Sequence, residues 1–226
     1  MLRIQLTSAA MLLTILISCG NGGDQTTTTV AAESDSTVVS KVKARRILFF
    51  GTSLTAGYGL DDVNDAYPAL IQSKIDSLHL PYQVVNAGLS GETSAGGKGR
   101  IDWLLKQPVD IFVLELGAND GLRGLSVSQT AGNLQDIIDR VKAKYPKARL
   151  VMTGMQMPPS MGEKYTADFK NLFSDLAAKN KMVFIPFLLE GVGGIPKLNQ
   201  KDGIHPTAEG QKILAANVWR ELKPLL

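Results

Sequence analysis

The sequence predicts an α/β fold in which five parallel strands carry helices on both faces. Short apolar runs, each closed by glycine or polar residues, alternate with stretches whose apolar residues recur at helical spacing. Strands separated by helices need crossover connections, and crossovers produce parallel sheets covered on both sides. The 226 residues, 44% hydrophobic and 20% charged, suffice for one sizeable core and one ordinary domain.

The elements follow in order. Ile47-Leu48-Phe49-Phe50, ended by Gly51, reads as a buried first strand. Asp65 is expected to cap a helix with Pro68 in its first turn and Leu70, Ile71, Ile75 and Leu78 on one side. Gln83-Val84-Val85 reads as the second strand and Ile111-Phe112-Val113-Leu114 as the third. Leu134, Ile137, Ile138 and Val141 line one helical face. Leu150-Val151-Met152 makes a fourth strand, and Phe169, Leu172, Phe173 and Leu176 repeat the helical spacing. Met182-Val183-Phe184-Ile185 is the fifth strand, and a last helix is expected from about Ala208 to Leu222. In sheets of this kind ligands bind beyond the carboxyl ends of the strands, so chemistry is expected after strands one, two and three.

The segment before the domain has a different character. Met1-Leu2-Arg3 is a short positive start, Ala9 to Ile17 is apolar apart from Thr14, and Leu16-Ile17-Ser18-Cys19-Gly20 follows. The run is too short to span a bilayer, but it suits the apolar region of a secretory signal. A small residue before a cysteine, preceded by aliphatic residues, resembles the lipobox of bacterial lipoproteins. That resemblance implies cleavage before Cys19, lipid on its sulfur and a membrane-anchored protein of the cell envelope. From Gly20 to about Val42 the chain is rich in Thr, Ser, Gly and Asp, as in a tether. The expected organisation is therefore a signal at 1–18, a tether at 19–42 and a domain at 43–226.

Composition excludes some functions. Twenty-four Lys and Arg against 21 Asp and Glu give a formal charge of +3, and the basic residues are scattered. No one-sided basic surface is expected, and so no nucleic-acid partner. Cys19 is the single cysteine, which leaves no internal disulfide and no cysteine cluster for a metal.

Four polar blocks stand at the expected places. Gly51-Thr52-Ser53-Leu54 follows strand one, and Asn86-Ala87-Gly88-Leu89-Ser90-Gly91-Glu92-Thr93-Ser94 follows strand two. Gly117-Ala118-Asn119-Asp120-Gly121 follows strand three, and Asp202-Gly203-Ile204-His205-Pro206 precedes the last helix. Each alone has an ordinary reading as turn or cap chemistry. Together they supply the parts for acyl transfer. A serine hydroxyl needs a base to take its proton, and imidazole, with an unperturbed pKa of about 6.5, is suited to that. The other ring nitrogen needs a fixed acceptor, which Asp202 can be. The tetrahedral intermediate needs donors aimed at its oxyanion, and the Ser53 and Gly91 N–H groups and the Asn119 amide can converge there.

These blocks resemble the four of the SGNH (GDSL-type) hydrolases, in order, from about Ile47 to Leu222. Gly91-Glu92-Thr93-Ser94 and Glu115-Leu116-Gly117-Ala118-Asn119-Asp120-Gly121-Leu122-Arg123-Gly124 are similar to the arylesterase, thioesterase I and lysophospholipase L1 branch. The resemblance implies a compact three-layer α/β/α fold of flavodoxin type. It implies Ser53 as nucleophile, His205 as base, Asp202 as orienter, and Gly91 and Asn119 as oxyanion donors. No metal or organic cofactor is implied. The implied substrates are carboxylic esters, thioesters among them, with a small acyl ester or a lysophospholipid as partner. Thr52 departs from the pattern, since the family usually has Asp there.

Tyr58, Leu60, Leu122, Pro158 and Leu188 are expected to rim the site. His79 reads as solvated, Met152, Met155 and Met157 as packing or pocket wall, and Trp103 and Trp219 as structural. Two other functions fit the same parts. One is carbohydrate O-deacetylation, which would need a polar or aromatic sugar platform. The other is lipid binding without catalysis.

Overall fold

The computed structural model describes residues 44–226. The expected signal, Cys19 and the tether lie outside the described residues, as does Lys43. Five strands form one sheet: β1 (Arg45–Gly51), β2 (Tyr82–Gly88), β3 (Ile111–Glu115), β4 (Arg149–Thr153) and β5 (Val183–Ile185). All pairings are parallel and the order is β2-β1-β3-β4-β5, the flavodoxin-like arrangement. Ile47 to Phe50 on β1 and Ile111 to Leu114 on β3 are almost entirely buried, because both faces of these central strands are covered. On the edge strand β2 only Tyr82 and Ala87 are buried.

The longer helices are α2 (Tyr67–Ser77), α3 (Ser94–Leu104), α5 (Val127–Lys144), α6 (Glu163–Asn180) and α7 (Ala208–Leu222). Two single-turn helices, α1 (Ser53–Ala56) and α4 (Ala118–Leu122), follow β1 and β3. Helices α2 and α7 pack together, while α5 packs against both α3 and α6, as expected for two outer layers. Thr93, Ser126 and Thr207 cap α3, α5 and α7 by accepting backbone N–H groups. On α5 the buried stripe is Thr130, Leu134, Ile137, Ile138 and Val141.

Several local expectations need correction. Asp65 does not cap α2; Ala66 occupies that position and makes no side-chain bond. The orphan Tyr67 N–H is instead satisfied from the far end of the chain, by Gln211 Oε1 of α7 at 3.0 Å. Asn119-Asp120-Gly121 forms part of the helical turn α4. Trp103 is not structural, being 67% exposed on α3. The α3 helix itself is hidden in the sequence by Gly96, Gly97 and Gly99, which dilute its apolar pattern. Gly97 has a packing reason, since a Cβ there would lie 2.4 Å from Leu116 and 3.2 Å from Phe50.

Candidate active site

The carboxyl ends of β1, β2 and β3 deliver three of the four blocks to one end of the sheet. Strand β1 ends at Gly51 and the chain turns into α1, which starts at Ser53. The Ser53 hydroxyl meets His205 Nε2 at 2.9 Å, and His205 Nδ1 meets Asp202 Oδ2 at 2.6 Å. Asp202 also accepts the backbone N–H groups of Ile204 and His205 through Oδ1, at 2.9 and 3.0 Å. The acid and the imidazole therefore sit on one closed loop, which an antiparallel bridge between Asn199 and Pro206 ties off. The His205 hydrogen bond, followed by the backbone donors, pulls the Asp202 carboxyl from its ordinary value down to about 2. With Nδ1–H held by an ionised carboxylate, Nε2 is free to accept a proton from the serine.

Gly91 adopts φ +77, with nothing within 4 Å of where a Cβ would stand, so conformation and not crowding selects glycine there. Among the described residues neither the Ser53 nor the Gly91 backbone N–H has an acceptor. Asn119 donates one amide hydrogen to the Glu92 carbonyl at 3.0 Å, and the other is left over. Arg123 donates to the Gly91 carbonyl at 3.0 Å, and Asp120 holds the Ser94 N–H and hydroxyl at 2.7 and 2.6 Å. The loop carrying Gly91 is thus fixed from the turn carrying Asn119. Glu92 is bound through both oxygens by Arg100 at 2.6 Å, with the guanidinium 4.4 Å above Phe50. Unpaired donors on a fixed frame are what an oxyanion hole requires.

A cavity of about 560 Å³ opens on this constellation. Thr52, Ser53, Asn119 and His205 form its polar end, and Leu122, Met155, Met157, Pro158, Phe187, Leu189 and Ile204 supply an apolar wall. Leu122 and Pro158 line it as expected. Leu188 does not, because it turns into the core between Phe187 and Leu189 and is fully buried. Tyr58 and Leu60 also lie off its wall. Met155 and Met157 are pocket wall, whereas Met152 belongs to the core. His79 is exposed, as expected.

The profile of the GDSL-like Lipase/Acylhydrolase family matches residues 49–213, a span that takes in all four blocks. The chain belongs to this SGNH (GDSL-type) hydrolase family. Esterase TesA of Pseudomonas aeruginosa is 40% identical over 190 residues, covering 84% of this chain and 93% of that protein. Thioesterase 1/protease 1/lysophospholipase L1 of Escherichia coli K12 is 38% identical over 184 residues, covering 81% and 86%. The psychrotrophic esterase EstA from Pseudoalteromonas, solved inhibited by monoethylphosphonate, superposes with a TM-score of 0.75 at 30% identity, over 80% of this chain and 98% of that one.

Against this SGNH background, one part of the site escaped the sequence reading. Glu115, fully buried at the end of β3, accepts the Thr52 N–H at 2.8 Å, the Thr52 hydroxyl at 2.9 Å and the Thr55 hydroxyl at 2.7 Å. Burial pushes its carboxyl up, and these donors oppose the shift. The lone carboxylate in the apolar run Ile111 to Leu116 was the signal available for it. Thr52 therefore meets its local hydrogen-bonding needs without the family's usual acid.

Proposed function

We propose that this SGNH hydrolase cleaves carboxylic esters, and thioesters by the same chemistry, through an acyl-enzyme on Ser53. As Ser53 Oγ attacks the carbonyl carbon, its proton passes to His205 Nε2, and Asp202 steadies the resulting imidazolium. The negative charge on the carbonyl oxygen falls to the Ser53 and Gly91 N–H groups and the Asn119 amide. Collapse breaks the bond to the leaving oxygen or sulfur, which takes the proton from Nε2. Water then attacks the acyl-enzyme, gives its proton to His205, and the acid departs as Ser53 regains its hydrogen.

The observation that carries this reading is the unbroken Asp202–His205–Ser53 hydrogen-bond chain at the mouth of an apolar cavity. Its largely apolar wall favours an acyl chain over an acetylated sugar. A fluorophosphonate should label wild-type protein and leave Ser53→Ala unlabelled, and p-nitrophenyl esters of graded chain length should be turned over faster than acetylated sugars. Labelling that persists in Ser53→Ala, or preference for the sugars, would overturn it.

The same reading extends to location and substrate. The short apolar segment and Leu16-Ile17-Ser18-Cys19 support lipidation at Cys19, with the domain held at the cell envelope by residues 19–42. Each buried lipid methylene contributes about 0.8 kcal/mol to such anchoring. An ester outside the cytoplasm, such as a lysophospholipid, is then the substrate class. Cys19→Ser should move the protein out of the membrane fraction, and wild-type protein that is soluble and unlipidated would remove the anchor.

A further inference from the structure

The acyl-enzyme reading assigns a place to one half of the ester. The acyl chain has the cavity, whose wall holds Leu122, Met155, Met157 and Pro158. The alcohol half has no such assignment, yet chemistry restricts where it can be. Its oxygen must take a proton from His205 Nε2 as the bond breaks, so the first atoms beyond that oxygen lie beside the imidazole. The ring found beside the imidazole is Tyr58. Its centroid lies 4.7 Å from that of His205, at an interplanar angle of 49°.

Three features set Tyr58 apart from an ordinary core aromatic. It is 52% exposed, and it does not contribute to the acyl cavity, so it has surface to offer on the open side of the imidazole. Its backbone is fixed at both ends, with its N–H donating to the Ser53 carbonyl at 3.0 Å and its carbonyl accepting from Gln200 Nε2 at 2.8 Å. It stands between Gly57 and Gly59, both at φ +75, and a Cβ on Gly59 would lie 2.2 Å from Gln200 Oε1. The turn is thus shaped to place this one ring next to the base. Aromatic pairs gain from offset or edge contacts with another ring, which a flat alcohol supplies and a methyl group does not.

The geometry points to Tyr58 as the leaving-group platform of the enzyme, selecting aromatic alcohols on the side of His205 away from the acyl cavity. It rests on the Ser53 acyl-enzyme. It makes Tyr58 a specificity residue for the first half-reaction alone, because both kinds of ester give the same acyl-enzyme once the alcohol has left.

The test uses esters with one acyl group and different alcohols, phenyl against methyl, and compares each variant with wild type on each ester so that intrinsic reactivity cancels. Tyr58→Ala should lower kcat/KM for the phenyl ester about 2- to 10-fold more than for the methyl ester, the range expected for one aromatic contact. Tyr58→Phe should keep the phenyl preference, and Tyr58→Leu should lose it. Inactivation by a fluorophosphonate expels only fluoride, so Tyr58→Ala should slow it no more than it slows methyl ester cleavage. Equal losses on both esters and in fluorophosphonate labelling would overturn the proposal and leave Tyr58 as a buttress for the imidazole. Wild-type protein that the fluorophosphonate does not label would remove the acyl-enzyme reading, and this proposal with it.

Discussion

Glu115 binds Thr52 twice, through its backbone N–H at 2.8 Å and its hydroxyl at 2.9 Å. The Thr55 hydroxyl donates to the same carboxylate, and Tyr67 shares a 2.7 Å bond with Thr55. The Tyr67 hydroxyl has no other partner among the described residues, so the satisfied arrangement runs Tyr67 to Thr55 to Glu115. The Tyr67 hydrogen then goes to Thr55 Oγ1, and the Thr52 and Thr55 hydroxyl hydrogens go to the carboxylate. A Cβ on Gly51 would lie 2.5 Å from Glu115 Oε2, so glycine there admits the carboxylate to the turn that presents Ser53.

Glu115→Gln should therefore lose stability, since an amide nitrogen cannot accept and one buried donor is left unpaired. The cost is about 1–3 kcal/mol, read from denaturant or thermal unfolding. Thr52→Val removes one hydroxyl donor but keeps the N–H, and should cost less. Wild-type stability in Glu115→Gln would show that the carboxylate does not anchor the turn.

For Asn119→Ala the expected loss is in kcat, by roughly 10²–10³-fold with KM nearly unchanged, because the amide meets charge that develops only in the transition state. The bond from Asn119 to the Glu92 carbonyl adds a second expectation. Asn119→Asp should be at least as damaging, having neither a donor for that carbonyl nor one for the oxyanion. Kinetics normalised by active-site titration check this, and full turnover in Asn119→Ala would take the residue out of the mechanism.

Asp202 is expected to stay a carboxylate down to strongly acidic pH. The folded Asp202 value, about 2, lies below the ordinary carboxylate value, so its contribution is complete above that ordinary value and is lost as pH falls through about 2. Asp202→Asn should lower kcat by about 10⁴-fold, the scale for such a change in an unrelated triad. Near-full activity in the Asn variant contradicts the assignment.

Gly121 offers a packing test. A Cβ there would lie 2.4 Å from Met157 Sδ and 2.7 Å from the Phe169 ring. Gly121→Ala should cost about 1–3 kcal/mol by overpacking, a fall of roughly 2–4 °C in Tm for each kcal/mol. Adding Met157→Ala should restore part of that loss by opening space beside the new methyl group. Strict additivity of the two changes in a thermal-melt cycle would refute the contact.

Legibility in the sequence followed the physics of each part. The strands of the sheet centre were readable because burial on both faces makes them continuous apolar runs, as Ile47 to Phe50 show. The last helix was readable from about Ala208 to Leu222, and its buried stripe holds Leu214, Val218 and Leu222. Ser53, Asp202 and His205 were readable from their order and chemistry. Gln211 and Gln200 were not, since a glutamine that satisfies a distant backbone group has no local pattern. The separation of Tyr58 from the acyl cavity was equally invisible, because loop direction depends on tertiary contacts that periodicity does not encode.

Ser53 and His205 stand 152 residues apart and share one hydrogen bond. The helix just after His205 closes the structure, with Gln211 reaching both Tyr67 N–H and the Leu54 carbonyl. A polypeptide that has built its sheet and presents Ser53 still lacks a base until the segment from Asp202 onward has docked. A chain cut short before Asp202 would carry Ser53 with no imidazole beside it, so truncation there should abolish ester cleavage.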